Sequence, residues 1–191
     1  MRIIAGRFKG QEIKTPKNAS TTRPTTDRTK EAIFSHLESM GMLDNTRVAD
    51  IYAGTGALGF EALSRGAASV TFVESNAQIA RLIAQTAQSF KGPHARELSI
   101  KIIRAQAEKY TQKVAGSAEL FDLVFMDPPY AVETDTVNEQ IARISTTLST
   151  DGVLMVERSI RSTDISAPEG FEIYLRKDYG ETEVFYIRSL A

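Results

Sequence analysis

From residue 47 onward, short apolar runs alternate with stretches whose apolar positions recur every three or four residues. The runs at 47–53, 69–74, 98–103, 120–126 and 152–157 predict strands, and the stretches at 57–65, 76–90, about 106–115 and about 135–148 predict helices. Residues 92–96, rich in Gly, Pro and His, predict a loop. Strands alternating with helices of this length predict a parallel, doubly wound sheet. The chain then closes on a hairpin, 171–176 and 183–188 around a turn at Asp178-Tyr179-Gly180, which adds antiparallel pairing. Ahead of the alternation, residues 2–15 predict a β-hairpin turning at Lys9-Gly10, and the Pro-, Thr- and Ser-rich residues 16–25 a loop. A helix follows from about Thr26 to Met40, capped by Thr25 or Thr26, with Ala32, Ile33, Leu37 and Met40 on one face and Gly41 as its stop. The expected fold class is α/β: a doubly wound, mostly parallel seven-stranded sheet with an N-terminal β-hairpin extension. The expected division is a basic hairpin and loop at 1–25 and a main domain at 26–191.

Two motifs sit where predicted strands end, which is where open α/β sheets bind ligands. Asp127-Pro128-Pro129-Tyr130 follows the apolar run 120–126. Two prolines fix φ and remove two N–H donors, so this turn is stiff and offers mainly acceptors. The Asp127 carboxylate and a prolyl carbonyl can converge on one point beside the Tyr130 ring. That arrangement suits a planar group bearing an NH2. The competing reading is an acidic turn with a tyrosine packed over it, since Pro and Asp are ordinary turn residues. The second motif is Gly54-Thr55-Gly56-Ala57-Leu58-Gly59, set between a predicted strand and a predicted helix. Here glycines allow a sharp turn, close backbone approach to a ligand and tight helix packing. Glu74 ends the next strand, 20 residues after Gly54. A carboxylate there can accept hydrogen bonds from both ribose hydroxyls of an adenosine cofactor. The glycine turn does not separate NAD from S-adenosylmethionine. Asp127-Pro128-Pro129-Tyr130 does, because hydride transfer has no use for a prolyl acceptor turn.

The combination resembles the class I S-adenosylmethionine-dependent amino-methyltransferases, and more closely the bacterial 16S rRNA (guanine-966-N2) methyltransferase family. The matching stretches are Met1-Arg2-Ile3-Ile4-Ala5-Gly6, Arg23-Pro24-Thr25-Thr26-Asp27-Arg28, residues 50–59 with 61–67, Phe72-Val73-Glu74, residues 121–130 and Tyr179-Gly180-Glu181-Thr182. They run from the first residue almost to the last. The resemblance implies a Rossmann-like fold and methyl transfer from S-adenosylmethionine, leaving S-adenosylhomocysteine, onto a guanine N2 of 16S rRNA, with the assembled small ribosomal subunit as substrate. It places Asp50, Tyr52, Gly54, Gly56, Gly59, Glu74 and Gln106 at the cofactor, and Asp127, Pro128 and Tyr130 at the reacting amine. Asp50 is expected near the methionine amino group. Asn76 is expected to cap the helix after Glu74. Gln106 departs from the Asp or Asn that many relatives carry there, but keeps a carbonyl acceptor. Two other readings stand beside this one: an amino-methyltransferase acting on adenine N6, and a cofactor-binding RNA chaperone without catalysis. An NAD-dependent dehydrogenase ranks last.

Composition changes the picture in three places. No cysteine is present, which excludes disulfides, thiolate metal sites and methylation at pyrimidine C5 through a cysteine adduct, and fits a reducing cytoplasm. His36 and His94 show no ligand spacing, so no metal is expected. No apolar run approaches membrane-spanning length, and the start does not read as a signal peptide. Net charge is −1, yet residues 1–30 hold eight Lys or Arg against two acids while the rest holds 15 against 22. Charge gathered at one end predicts a phosphate-binding surface. Arg2, Arg7, Lys9, Lys14, Arg23 and Arg28 are its candidate RNA contacts.

Overall fold

The computed structural model describes residues 1–16, 27–91 and 93–190. Its elements run α1 (Asp27–Ser39), β1 (Arg47–Ile51), α2 (Ala57–Ser64), β2 (Ser69–Glu74), α3 (Ala77–Ser89), a 3-10 turn (Pro93–Glu97), β3 (Ser99–Arg104), α4 (Ala107–Val114), β4 (Phe121–Met126), α5 (Thr134–Ser145), β5 (Leu148–Ser159), β6 (Phe171–Tyr179) and β7 (Thr182–Ser189). The strands form one seven-stranded sheet in the order β3-β2-β1-β4-β5-β7-β6. Neighbours from β3 to β5 pair parallel; β7 pairs antiparallel with both β5 and β6. The order reverses between β1 and β4, so the crevice at the carboxyl ends of these two strands is the expected ligand site.

Strand residues alternate between two cores, as a period of two requires. Val48, Val70, Phe72, Leu123, Phe125, Val153 and Met155 face one side, packed with α1, α2 and the amino-terminal segment. Ala49, Ile51, Val73, Val124, Met126, Leu154 and Val156 face the other, packed with α4 and α5. Both faces are therefore covered, and the parallel strands read as nearly continuous apolar runs for that reason.

Four expectations need correcting. Strand β5 spans 12 residues rather than the predicted six, because its first part continues the ladder beside Phe121. The predicted loop at 92–96 contains a 3-10 turn. Met40 leaves the helix face and is 36% exposed, while Phe34 joins Ile33 and Leu37 inside. The closing turn is Gly180-Glu181, with Asp178 and Tyr179 paired to Glu183 and Thr182 in the ladder. The cap expected at Thr25 or Thr26 and the loop at 17–25 lie outside the described residues.

The amino-terminal hairpin is short. One antiparallel bridge joins Arg2 and Glu12, flanked by Ile3 N–H to Gln11 O and Ile13 N–H to Met1 O. It lies against α2. Ile3, Phe8 and Ile13 are buried in the first core. Glu61 of α2 accepts the Ile4 and Ala5 N–H groups at 2.8 and 3.0 Å. Gly6 has φ +79, and a Cβ there would stand 2.0 Å from the Ser64 carbonyl oxygen. Only glycine lets the backbone approach α2 so closely.

Candidate active site

The sharp turn after β1 begins at Tyr52, a non-glycine residue held at φ 66. This is a costly conformation for an aromatic residue, and it starts the turn that carries Gly54 and Gly56 into α2. The Tyr52 hydroxyl donates to Gln140 Oε1 of α5 at 2.8 Å, which fixes the ring. Gly59, one turn into α2, has no room for a side chain: a Cβ would lie 2.3 Å from the Phe72 ring. The helix start therefore packs directly on β2, as the glycine spacing predicts.

Glu74 closes the turn from the other side. One carboxylate oxygen accepts the Gly54 N–H at 2.9 Å, the other the Asn76 N–H at 2.7 Å. Asn76 in turn caps α3 by accepting the Gln78 and Ile79 N–H groups. Asp50, near the end of β1, is buried and accepts the Gly59 N–H at 2.9 Å. Burial pushes its carboxyl up to about 8; the Gly59 hydrogen bond works against this and the charge of Glu74 adds to it.

On the facing side, β4 delivers Asp127 and the prolyl turn. The Pro129 carbonyl accepts the Val132 N–H at 2.9 Å, which locks the turn. Among the described residues the Pro128 carbonyl has no such partner. Pro128 is buried and Tyr130 is 44% exposed. Asp127 is held well above the usual carboxylate range by burial first, then by the negative charges of Glu157 and Asp50; the Arg158 guanidinium pulls the other way.

Both turns open onto one cavity of about 370 Å3, walled by Asp50, Tyr52 and Gly54 on one side and by Asp127, Pro128 and Tyr130 on the other. Glu157, Lys30 and Met1 are among the lining residues that were not predicted. Glu157 follows the apolar run of β5 as Asp127 follows that of β4, and the pairing of Met126 with Val156 puts the two acids level. An acid after each of two apolar runs was the available signal. Lys30 of α1 and Met1 also line the cavity. Only tertiary packing brings them there, so no local signal exists. Glu74 stands behind the glycine turn. Gln106 is exposed at the start of α4 and is not part of this cavity wall.

The candidate RNA contacts divide. Arg2, Lys9 and Arg28 are exposed. Lys14 pairs with Glu12 at 3.1 Å on the surface. Arg7 is exposed as a residue too, but its guanidinium is tied down: Nε donates to Leu63 O in the last turn of α2 at 3.2 Å and Nη2 to Ala67 O just past it at 3.3 Å. Arg23 lies outside the described residues. His94 sits 3.7 Å from Glu97, and His36 packs edge-on against Tyr186. No group of three or more His, Cys, Asp or Glu among the described residues could hold a metal ion.

The strand order, glycine turn and covered parallel sheet make this a class I methyltransferase fold. The chain belongs to the family described as Conserved hypothetical protein 95, which it matches over residues 1–188. It is 27% identical to Ribosomal RNA small subunit methyltransferase D of Escherichia coli (strain K12), over 95% of this chain and 86% of that one. It is 31% identical to YlbH of Bacillus subtilis (strain 168), over 96% of each. Among solved structures it is similar to yhhF from Escherichia coli, with a TM-score of 0.82 at 24% identity, covering 100% of this chain and 99% of that one. It shares the fold of SMU.776, whose structure is a complex with SAH, with a TM-score of 0.63 at 13% identity over 76% of this chain and 45% of that one.

Proposed function

We propose that this chain transfers a methyl group from S-adenosylmethionine to the exocyclic N2 of a guanine, guanine 966, in 16S rRNA within the small ribosomal subunit or its assembly intermediate. The observation that carries this is one cavity shared by the glycine turn and the Asp127-Pro128 turn, with Tyr130 exposed beside it. Relatives named Ribosomal RNA small subunit methyltransferase D supply the substrate class. A cytoplasmic location goes with that substrate. Among the described residues no helix is long and apolar enough to cross a membrane.

The residues fit the cofactor. The carboxyl groups of Asp50, Asp127 and Glu157 line one cavity, and a cation offsets their repulsion. The sulfonium supplies an already activated methyl. Asp50 receives the methionine amino group, Gly54 lets the backbone approach, and Glu74, fixed by two N–H groups, presents its remaining lone pairs to the ribose. Tyr52 lines the cavity, and in this reading the cofactor's adenine extends beyond that wall to Gln106 at the start of α4.

The guanine N2 lone pair is delocalised into the ring and is a poor nucleophile. Asp127 and the Pro128 carbonyl accept its two hydrogens, which turns the lone pair toward the methyl. Catalysis is then chiefly positioning and preorganised electrostatics. The raised proton affinity of Asp127 also suits it to take the proton released from the amine. Tyr130 stacks on the base, which must leave its own stack to enter. The amino-terminal segment docks the RNA through Arg2, Lys9 and Lys14, with Arg23 and Arg28 as further phosphate contacts of this reading.

The test is incubation of the purified protein and labelled S-adenosylmethionine with small subunits from a strain lacking this methylation, followed by nucleoside mass spectrometry. N2-methylguanine at one position is expected. N6-methyladenine, or no product with either the particle or free 16S rRNA, overturns the assignment.

A further inference from the structure

Beside Tyr130, a second cavity of about 580 Å3 adjoins the first. One of its walls is Arg158 of β5, whose residue is 2% exposed. Its Nη2 donates to the Val132 carbonyl at 3.1 Å and to Thr134 Oγ1 at 3.4 Å. Its Nε and Nη1 are buried and have no hydrogen-bond partner among the described residues. The negative charges of Asp127 and Glu133 already act on this guanidinium, but neither acid bonds those two nitrogens; buried donors left unmet are costly, and an anion is a partner that relieves them.

A second observation points the same way. The 12-residue helix α5 begins at this cavity, with Glu133 and Thr134 in the wall. Glu133 occupies the cap position but makes no side-chain hydrogen bond to the first turn. Such a helix start attracts an anion through its free N–H groups and dipole. Arg161 and the Ser162 and Thr163 hydroxyls complete the lining. Three acids stand nearby: Glu133 and Glu181 in the wall and Asp135 in the first turn of α5. Glu133 and Glu181 are exposed at the rim, and Glu181 pairs with Arg161 at 3.4 Å. Exposed charges are screened by solvent; the buried Arg158 charge is not.

We propose that this second cavity is a phosphate subsite for the RNA strand, holding a backbone phosphate next to the nucleotide whose base enters the cofactor cavity. The inference rests on the RNA-methyltransferase reading above. Tyr130 lines both cavities, so a base stacked on its ring leaves its sugar-phosphate on the side of Arg158. The prolyl turn thus takes the amine on one side while Arg158 and the start of α5 take the strand on the other.

The experiment measures kcat and KM for small subunits at several salt concentrations, with wild type, Arg158→Ala and Arg158→Lys. For Arg158→Ala we expect KM to rise about tenfold to a hundredfold, the loss of a charge-assisted contact, with most of the loss in KM. The log–log salt slope should fall by roughly 0.7 to 0.9, one phosphate contact. Arg158→Lys should recover the slope, because the charge returns without the planar fork. Equal KM and equal slope in wild type and Arg158→Ala overturn the proposal. So does a fall in kcat with an unchanged slope, which assigns Arg158 to the electrostatics of Asp127 alone. Should Arg158→Ala fail to bind S-adenosylhomocysteine, Arg158→Gln fills the same space and is read the same way. If wild type methylates no guanine, the functional reading falls; direct binding of the particles against salt still reads the subsite.

Discussion

Two clusters of charge, one around Glu61 and one around Asp127, are built in opposite ways. Around Glu61 every charge is answered. Its carboxylate accepts two backbone N–H groups, lies 3.6 Å from Lys30 Nζ and 2.9 Å from Arg65 Nε, and Arg65 goes on to Glu31 at 2.6 Å. Around Asp127 three acids, Asp50, Asp127 and Glu157, crowd one cavity. Arg158, whose charge acts on Asp127, has two nitrogens without hydrogen-bond partners among the described residues. The first cluster is complete and ties the amino-terminal segment, α1 and α2 together. In the second, Arg158 keeps two donors unmet, and donors left unsatisfied in a folded protein are candidates for binding and catalysis.

The sharpest way to break the comparison is to remove each central carboxylate. Glu61→Gln removes the buried negative charge that Lys30 and Arg65 share and leaves Arg65 only Glu31 and Glu38, so it should cost about 3–5 kcal/mol of stability. Urea denaturation would measure it, and a loss under about 1 kcal/mol would mean the network holds nothing together. Asp127→Ala removes one of three crowded acids, so stability should hold or rise slightly. Turnover should instead fall about 100- to 1,000-fold, the scale for losing one preorganised catalytic contact. Cofactor affinity should stay nearly unchanged, and Asp127→Asn should be milder because its amide oxygen still accepts one hydrogen. A wild-type rate for Asp127→Ala would remove that residue from the mechanism.

A pH titration sharpens the same contrast. The Asp50 carboxyl is raised in the folded chain to about 8 from an ordinary value of 3.8. Between those values the folded protein holds a proton that the unfolded chain has released. Stability of the ligand-free protein should therefore fall as pH rises through that window, by up to about 1.4 kcal/mol per pH unit. Asp50→Asn should flatten the profile of melting temperature against pH. A cationic ligand prefers ionised Asp50, so S-adenosylmethionine should bind more tightly as pH rises toward 8 and should release protons on binding near neutrality. Calorimetry in buffers of different ionisation enthalpy reads that release; proton uptake would contradict the sign.

Much of this was legible before the structure, for a physical reason. Strands buried on both faces announce themselves as apolar runs, and β2 falls on the predicted residues, 69–74. The turns at 54–59 and 127–130 are local, so spacing alone exposes them. What stayed hidden depends on distance along the chain. Lys30 reads as one more basic residue in a basic segment, yet it is buried against Glu61, 31 positions away. Arg7 reads the same way and spends its guanidinium on the end of α2. Sequence shows that charge accumulates; it does not show which charges the fold consumes.

The smallest effects should come from the amino-terminal cations, and they test that distinction directly. Arg7 and Lys9 are two residues apart and carry the same charge. Arg7 satisfies two carbonyls at the end of α2 and lies 3.8 Å from Glu97; Lys9 is exposed. Arg7→Ala should therefore cost about 0.5–1.5 kcal/mol of stability, the usual worth of such hydrogen bonds. Lys9→Ala should leave stability within about 0.5 kcal/mol, as surface changes do. On small-subunit binding the order reverses. Lys9→Ala should lower the salt slope by roughly 0.7 to 0.9 if it meets one phosphate, while Arg7→Ala should barely change it. Paired measurements, urea denaturation and binding against salt for both variants, give a crossed pattern under this reading. If both variants shift the slope alike and neither shifts stability, Arg7 leaves α2 when RNA arrives, and the whole segment acts as one phosphate-binding surface.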